Sequence, residues 1–435
     1  MIIELSNIGP VKQMKLDLSK HLITFMGLNG TGKTYVSYVV YSLLRGYRTS
    51  FNLLDGVEKE DGDTLKGAIN IDTVFACMND QVQAVNDQLP RIFNVSADDS
   101  QLENASVKLL TTKEEMLKEI TDVERNFGVT DLFVFQKKAG ELDFSVKKLN
   151  QNDFDKEDPY YFSLVILKLL VYDSLMTTML TAERSGIYTF SRELSLNRFK
   201  KSSYSTTEYP IQRYPRPIVD ALIEADDLAQ IKKQKASTAE LASKIESDIL
   251  SGHMVISSEG ELRYKAKKMD ESIAFTLASS AVKTIAPIII FLKHQAIYNQ
   301  TLIIDEPELN LHPKNQILLA RVFARMVNAG IRLIINTHSD YILRELNNLI
   351  MLDSVSKETR KELLYTDDER IDCHNVGVYE FDMTESTGHG VLVKEVPVSK
   401  TGFDSVLIDE VINKQMNTSQ DIYLALGDLE ELTEN

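Results

Sequence analysis

The sequence predicts an α/β fold with a largely parallel sheet and crossover helices, and three stretches predict it. An apolar run, Leu22 to Met26, leads into Gly27-Leu28-Asn29-Gly30-Thr31-Gly32-Lys33-Thr34, and a helix-like pattern follows as far as Leu44. A second run, Thr301–Ile304, ends in Asp305-Glu306 and is followed by a helical pattern near Lys314–Asn328. A third, Ile331–Asn336, ends in Thr337-His338-Ser339. Strands alternating with helical patterns indicate βαβ units, because two parallel strands need a crossover between them.

The first loop has the form GxxxxGK[ST] in the strand-loop-helix setting that phosphate binding needs. Its glycines (Gly27, Gly30, Gly32) let the backbone curl until successive N–H groups form an anion nest, which Asn29 and Thr31 complete. The start of the helix adds its positive dipole end. Lys33 would reach the β- and γ-phosphates, and Thr34 would offer its hydroxyl to Mg²⁺. A nucleoside triphosphate is the expected ligand.

The remaining elements follow in order. Ile2, Ile3 and Leu5 begin a strand, Asn7 to Pro10 turn, and Met14, Leu16 and Leu18 alternate as a second strand. From about Ser50 to Asp158 the pattern is mixed and polar, with a β-hairpin expected where Asp131–Lys137 and Glu141–Lys148 flank Ala139-Gly140. Residues 160–180 have helical length and apolar weight. Phe190–Pro217 is polar and basic, and Val219–Leu250 has the apolar rhythm of one long helix or a helix pair, expected to project from the body. Sustained heptads are missing, which excludes a long coiled-coil arm. Met254–Ser257 and Glu261–Ala266 form a hairpin around Glu259-Gly260, and a helix is expected over about Ser280–Tyr298. After Leu346 come a short helix, two strand-like runs (Val376–Phe381 and Val391–Val396) and an acidic C-terminal helix.

Composition narrows the function classes. The chain has 435 residues and a net charge of −16, so its mean field repels polyphosphates and argues against broad nonspecific binding to nucleic acid. Cys77 and Cys373 stand apart without a CxxC or histidine cluster, so neither a disulfide framework nor a zinc site is expected. The start of the chain lacks a signal-peptide pattern, and the apolar run Tyr161–Leu180 is interrupted by Lys168 and Asp173. A cytoplasmic protein without a membrane partner is expected.

The other strand tips supply the rest of a phosphoryl-transfer site. Ligands sit at the C-terminal ends of parallel strands, so Asp305 and Glu306 would face the phosphate loop. Asp305 would hold the Mg²⁺ shell, and Glu306 would orient or deprotonate the attacking water. His338 could hydrogen-bond the γ-phosphate or that water. Ser279 or Ser280 could cap the following helix, and serine hydroxyls at a helix start are equally suited to gripping a γ-phosphate.

In order, GLNGTGKT, ASSAVK, LIIDEPELNLHP and IINTHSD resemble the motifs of ABC-type ATPases. More narrowly, with Thr181-Ala182-Glu183-Arg184-Ser185-Gly186 set beside the group's PAERSG segment, the chain resembles the OLD-like group. That group includes ATPase subunits of bacterial anti-phage systems such as PARIS and Septu. The resemblance implies an ABC-type P-loop ATPase head, a mixed sheet with flanking helices, carrying a helical/β insertion and a small C-terminal appendage. Residues 1–50 and 253–346 would be the two parts of the head. Residues 51–180 would be a mixed insertion, 181–252 a helical arm-like segment, and 347–435 the α+β appendage.

The resemblance also implies ATP and Mg²⁺ as cofactors and two heads packed head-to-tail around two ATP molecules, as a dimer or higher homo-oligomer. Lys33, Thr34, Asp305, Glu306 and His338 would serve one nucleotide, while Ser279 and Ser280 would reach the one bound to the opposing protomer. Asn310, Leu311, His312 and Pro313 fall where the dimer-contacting D-loop lies. Two departures are visible: Ala281 replaces the usual glycine of the signature, and Gln81, Gln83 and Gln136 are Q-loop candidates without context. Hydrolysis is accordingly expected to be slow.

Asp367-Asp368-Glu369 reads as a solvated surface, and Glu380 with Asp382 as a solvated edge strand, so a nuclease would be a separate partner. The leading expectation is an ATP-gated sensor or scaffold controlling such an effector. The alternatives are a DNA repair or recombination ATPase that clamps DNA through Arg198, Lys200, Lys201, Arg213 and Arg216, and a noncatalytic ATP-dependent assembly module.

Overall fold

A computed structural model describes residues 1–45, 58–61, 64–96, 98–122, 125–129, 133–148, 176–191, 214–383, 390–404 and 406–433. Its strands are β1 (Ile2–Ile8), β2 (Val11–Asp17), β3 (Leu22–Gly27), β4 (Glu58–Asp61), β5 (Thr64–Ala68), β6 (Ser106–Leu109), β7 (Arg125–Val129), β8 (Phe133–Lys137), β9 (Asp143–Lys148), β10 (Thr177–Leu180), β11 (Gly252–Ile256), β12 (Leu262–Ala266), β13 (Ile273–Ala274), β14 (Thr301–Asp305), β15 (Arg332–Thr337), β16 (Val376–Asp382) and β17 (Val391–Val396).

Nine of them form one sheet in the order β10-β14-β15-β3-β16-β17-β2-β1-β6. The five from β10 to β16 run parallel, whereas β16–β17, β2–β1 and β1–β6 are antiparallel, giving a mixed sheet. Both faces are covered, and the period-2 alternation of strands sorts their side chains between two cores. Ile23, Phe25, Ile303 and Ile334 enter a core with the helices Lys33–Arg45 and Ile71–Phe93. Leu22, Met26, Leu302, Ile304, Leu333 and Ile335 enter the opposite core with the helices Ser280–Ile290, Pro313–Asn328 and Asp340–Met351. That double burial explains why these strands read as continuous apolar runs.

Several expectations shift. Residues 160–175 of the expected helix lie outside the described residues, and its last part, Thr177–Leu180, is an edge strand paired with β14. Val219–Leu250 is no projecting helix. It is broken into Arg216–Asp226, Leu228–Ile231 and Ala239–Ile245 with a π-turn at Glu246–Leu250, and Leu228, Ala242, Ile245 and Leu250 are buried in the second core. The hairpin expected around Ala139-Gly140 is β8–β9, which belongs to a five-stranded antiparallel sheet, β4-β5-β9-β8-β7.

The region after Leu346 contributes two strands to the main sheet, since β16 pairs with β3 along Val376 to Phe381. Glu380 and Asp382 are consequently buried in an interior strand, not on a solvated edge. The Asp367-Asp368-Glu369 cluster is an ion-pair hub: Asp367 meets Lys357 and Arg360, and Glu369, buried, meets Arg325 at 2.7 Å. Among the described residues, no helix is long and apolar enough to cross a membrane.

Candidate nucleotide-binding site

The parallel order places the C-terminal ends of β14, β15 and β3 side by side, with Asp305 opposite Asn336 and Thr337 opposite Met26. The phosphate loop leaves β3 at Gly27, whose φ is 141° and where a Cβ would lie 2.5 Å from the Phe381 carbonyl oxygen. Gly32, at φ 94°, faces Pro10 and Val11 so closely that a Cβ would approach both side chains to 2.8 Å. Only glycine meets both demands. Leu28, Asn29 and Gly30 are exposed at the loop tip, while Thr31 is buried and its hydroxyl donates to the Leu28 carbonyl at 2.8 Å.

Lys33 begins the following helix and is buried. Its ammonium donates to the carbonyls of Gly27 and Leu28 at 2.8 and 2.7 Å. Burial pushes its pKa down, and the carboxylates of Asp305, Glu306 and Glu308 pull it back up. A positive charge held inside a curled backbone is what a triphosphate would draw on.

Thr34 donates its hydroxyl to Asp305 Oδ2 at 2.8 Å. Asn336 Nδ2 donates to the other oxygen, Oδ1, also at 2.8 Å, and Ser37 Oγ in turn donates to Asn336 Oδ1. Burial raises the Asp305 pKa, and the bonds from Asn336 and Thr34 oppose that rise. A buried carboxylate and a hydroxyl joined in this way are oxygen donors suited to Mg²⁺, which would neutralise phosphate charge.

Glu306 follows with φ 48°, a left-handed conformation uncommon for a residue with a Cβ. Its N–H donates to the Asn336 carbonyl at 3.0 Å. Glu308, buried, accepts at Oε1 from the Thr337 hydroxyl and the His338 N–H, and lies 3.2 Å from His338 Nδ1. Ser339 caps the next helix through Ile342 N–H.

The structure thus brings Gly27, Thr31, Gly32, Lys33, Thr34, Asp305, Glu306 and His338 to neighbouring strand ends. Ser279 and Ser280 stand apart. Ser279 caps the helix Ser280–Ile290 through the Val282 N–H, both serines are exposed, and no hydrogen bond among the described residues joins them to the phosphate loop. Of the three glutamines, Gln81 is buried against the Leu43 carbonyl, Gln83 bonds Asp87, and Gln136 lies in β8. Sequence reasoning missed Ser37, Asn336 and Glu308. The signal for Glu308 was its place in Asp305-Glu306-Pro307-Glu308, an acid too many for a simple strand end. Arg184, which enters the sequence reading only through the segment Thr181–Gly186, is the largest fully buried side chain of the described residues.

A family model described as AAA ATPase domain matches residues 1–343. The chain belongs to the AAA ATPase domain family. That match spans the phosphate loop, the acid-tipped strand and His338, so the family assignment and the site geometry coincide on an ATPase domain. No curated protein matches the chain.

Among solved structures, it is similar to the SmcHead bound to the C-winged helix domain of ScpA, at 11% identity and TM-score 0.39, over 92% of this chain and 98% of that one. It is also similar to the Smc head domain with an extended coiled coil bound to the C-terminal domain of ScpA from Pyrococcus furiosus. There the identity is 13% and the TM-score 0.36, over 97% and 98% of the two chains. The SMC head domain from Thermotoga maritima follows at 8% identity and TM-score 0.34, over 91% and 98%.

Proposed function

We propose that this chain is an ABC-type, OLD-like ATPase that works as an ATP-gated dimeric switch. Its role on this reading is that of a sensor or scaffold subunit in a bacterial anti-phage system, controlling a separate nuclease or toxin. Support comes first from the joined triad of Thr34, Asp305 and Asn336 beside Lys33 and Glu306, groups suited to phosphate and Mg²⁺. Ser279 and Ser280, exposed at a helix start and unengaged with their own loop, are available to the nucleotide of a second copy. On this reading Lys33 and the loop amides hold the phosphates, and Thr34 and Asp305 hold Mg²⁺. Glu306 positions and deprotonates the water, and His338 contacts the γ-phosphate side. ATP then forms part of the interface, so closure and hydrolysis are linked.

The test is the mass of the Glu306→Gln variant by light scattering with and without ATP and Mg²⁺. A shift from monomer to dimer only with ATP is expected, lost on adding Ser280→Arg. A variant that binds ATP and stays monomeric would remove the switch. Infection survival in cells carrying the chain with its neighbouring gene, against cells carrying Lys33→Ala, tests the defence role.

The DNA-clamp alternative has less support. Arg216 is tied to Asp220 at 2.9 Å, and Arg198, Lys200, Lys201 and Arg213 lie outside the described residues. A salt-sensitive DNA shift abolished by Arg198→Ala with Lys200→Ala and Lys201→Ala would restore it. ATP-dependent assembly that persists undiminished in Glu306→Gln, with no turnover by the unaltered chain, would favour the noncatalytic module.

A further inference from the structure

Arg184 carries a positive charge through the middle of the protein, 1% exposed, and its hydrogen bonds go to backbone carbonyls, not to carboxylates. An ion so placed is costly unless its donors are satisfied. Here four bonds to backbone carbonyls engage all three of its nitrogens. Nη1 donates to Thr181 O at 3.1 Å and to Asp305 O at 2.7 Å, Nη2 to Glu306 O at 2.8 Å, and Nε to Thr284 O at 3.2 Å. Burial presses the guanidinium pKa down to about 10, and the field of Asp305, Glu308, Glu306 and Glu183 works against that fall.

Those carbonyls belong to three different pieces of the chain. Thr181 follows β10, Asp305 ends β14 with Glu306 next in the chain, and Thr284 lies in the helix that begins at Ser280. The contact with Glu306 is the telling one. Its backbone is left-handed, and three hydrogen bonds pin that peptide geometry: its N–H to Asn336 O, and its carbonyl held by Arg184 and, at 3.2 Å, by the Leu309 N–H. A left-handed residue persists where its surroundings over-determine it, and it sets where the side chain points. A planar fork with five donors can grip several carbonyls at once, whereas an ammonium is a point charge with three.

We infer that Arg184 is a positioning residue for ATP hydrolysis, clamping the Glu306 backbone and tying it to the helix that starts at Ser279–Ser280. This rests on the reading of Glu306 and Ser279–Ser280 given above. Engagement of that helix start by a second copy's nucleotide is thereby coupled, through one side chain, to the alignment of Glu306 in its own site. Among the described residues no hydrogen bond joins Arg184 to Lys33 or to the rest of the phosphate loop, so on this reading kcat depends on Arg184 more than ATP affinity does.

Arg184→Lys in the full-length chain is the test, since it keeps the charge and loses the fork. Three measurements are compared with the unaltered chain: ATP affinity by calorimetry, steady-state kcat and KM, and amide hydrogen exchange over residues 301–310. A kcat lower by about tenfold or more, with ATP affinity and KM within about twofold, is expected. Exchange should quicken over 301–310 and stay unchanged over 22–27. A kcat within about twofold of the unaltered chain overturns the assignment. So does a parallel loss of kcat, ATP affinity and melting temperature, which marks a purely structural staple. Should Arg184→Lys fail to fold, Arg184→Gln, which retains two donors, takes its place under the same outcomes. An unaltered chain that binds ATP without turnover would overturn the hydrolytic reading, and the Arg184 role with it. Turnover that is insensitive to Arg184→Lys removes only the latter.

Discussion

Glu308 holds His338 at two points: Oε1 accepts from the His338 backbone N–H at 2.8 Å and lies 3.2 Å from its ring Nδ1. The same oxygen takes the Thr337 hydroxyl, so one buried carboxylate joins the segment after β14 to the tip of β15. Removing it strands two donors. Glu308→Ala is expected to cost about 1–3 kcal/mol in urea unfolding. Glu308→Gln, which keeps an acceptor, should cost less than about 1 kcal/mol while lowering kcat about tenfold. Unchanged turnover in Glu308→Gln would show that the contact serves only the fold.

Lys33→Ala removes the one side-chain cation inside the phosphate loop. ATP affinity by calorimetry should fall about 100-fold or more, on the order of 3 kcal/mol. A variant that binds as well as the unaltered chain would displace the nucleotide site from Gly27–Thr34.

Glu306→Gln keeps the size of the side chain and removes its basicity. Turnover should drop about 100-fold or more while ATP stays bound. Phosphate release in single-turnover experiments separates the two effects, and normal turnover would end the role given to Glu306.

Gly27→Ala tests the join between loop and sheet. Its Cβ would lie 2.5 Å from the Phe381 carbonyl in a backbone region that suits glycine. A loss of about 1–3 kcal/mol by chemical denaturation is expected, accompanied by weaker ATP binding.

Glu224 sets a pH dependence. Burial pushes its carboxyl up to about 7, with Arg45 opposing and neighbouring Asp220 reinforcing the rise. The folded protein therefore holds this proton more tightly than the unfolded chain. Its contribution is complete below the unfolded value near 4.5 and is lost as pH rises through about 7. Glu224→Gln should raise stability by about 1–3 kcal/mol at pH 8, a gain that fades toward pH 4.5. Parallel melting curves of the two proteins across that range would contradict it.

The strands that carry the site were legible because β14 and β15 are short β-branched runs buried on both faces, and polar residues cluster at their tips. The phosphate loop was legible because its glycines and lysine obey local rules. What the sequence hid depends on distant pairing. Thr177–Leu180 continues an apolar stretch and looks helical until β14 is available as its neighbour. The rhythm of Val219–Leu250 runs on across Asp227 and residues 232–238, where the chain turns. Arg184, Glu308 and Asn336 act on groups tens to hundreds of residues away, and no spacing rule announces that.

The place of β16 bears on how the protein is made. All the nucleotide motifs have been synthesised once His338 is added, yet β3 then has a neighbour only on its β15 side. Its other flank waits for Val376–Phe381, some of the most sequence-distant pairing in the sheet. Such late, non-local closure slows folding and leaves hydrophobic strands exposed in the interval. A nascent chain that already spells out an ATPase is thus still an open-edged intermediate, in need of shelter from its neighbours on the ribosome.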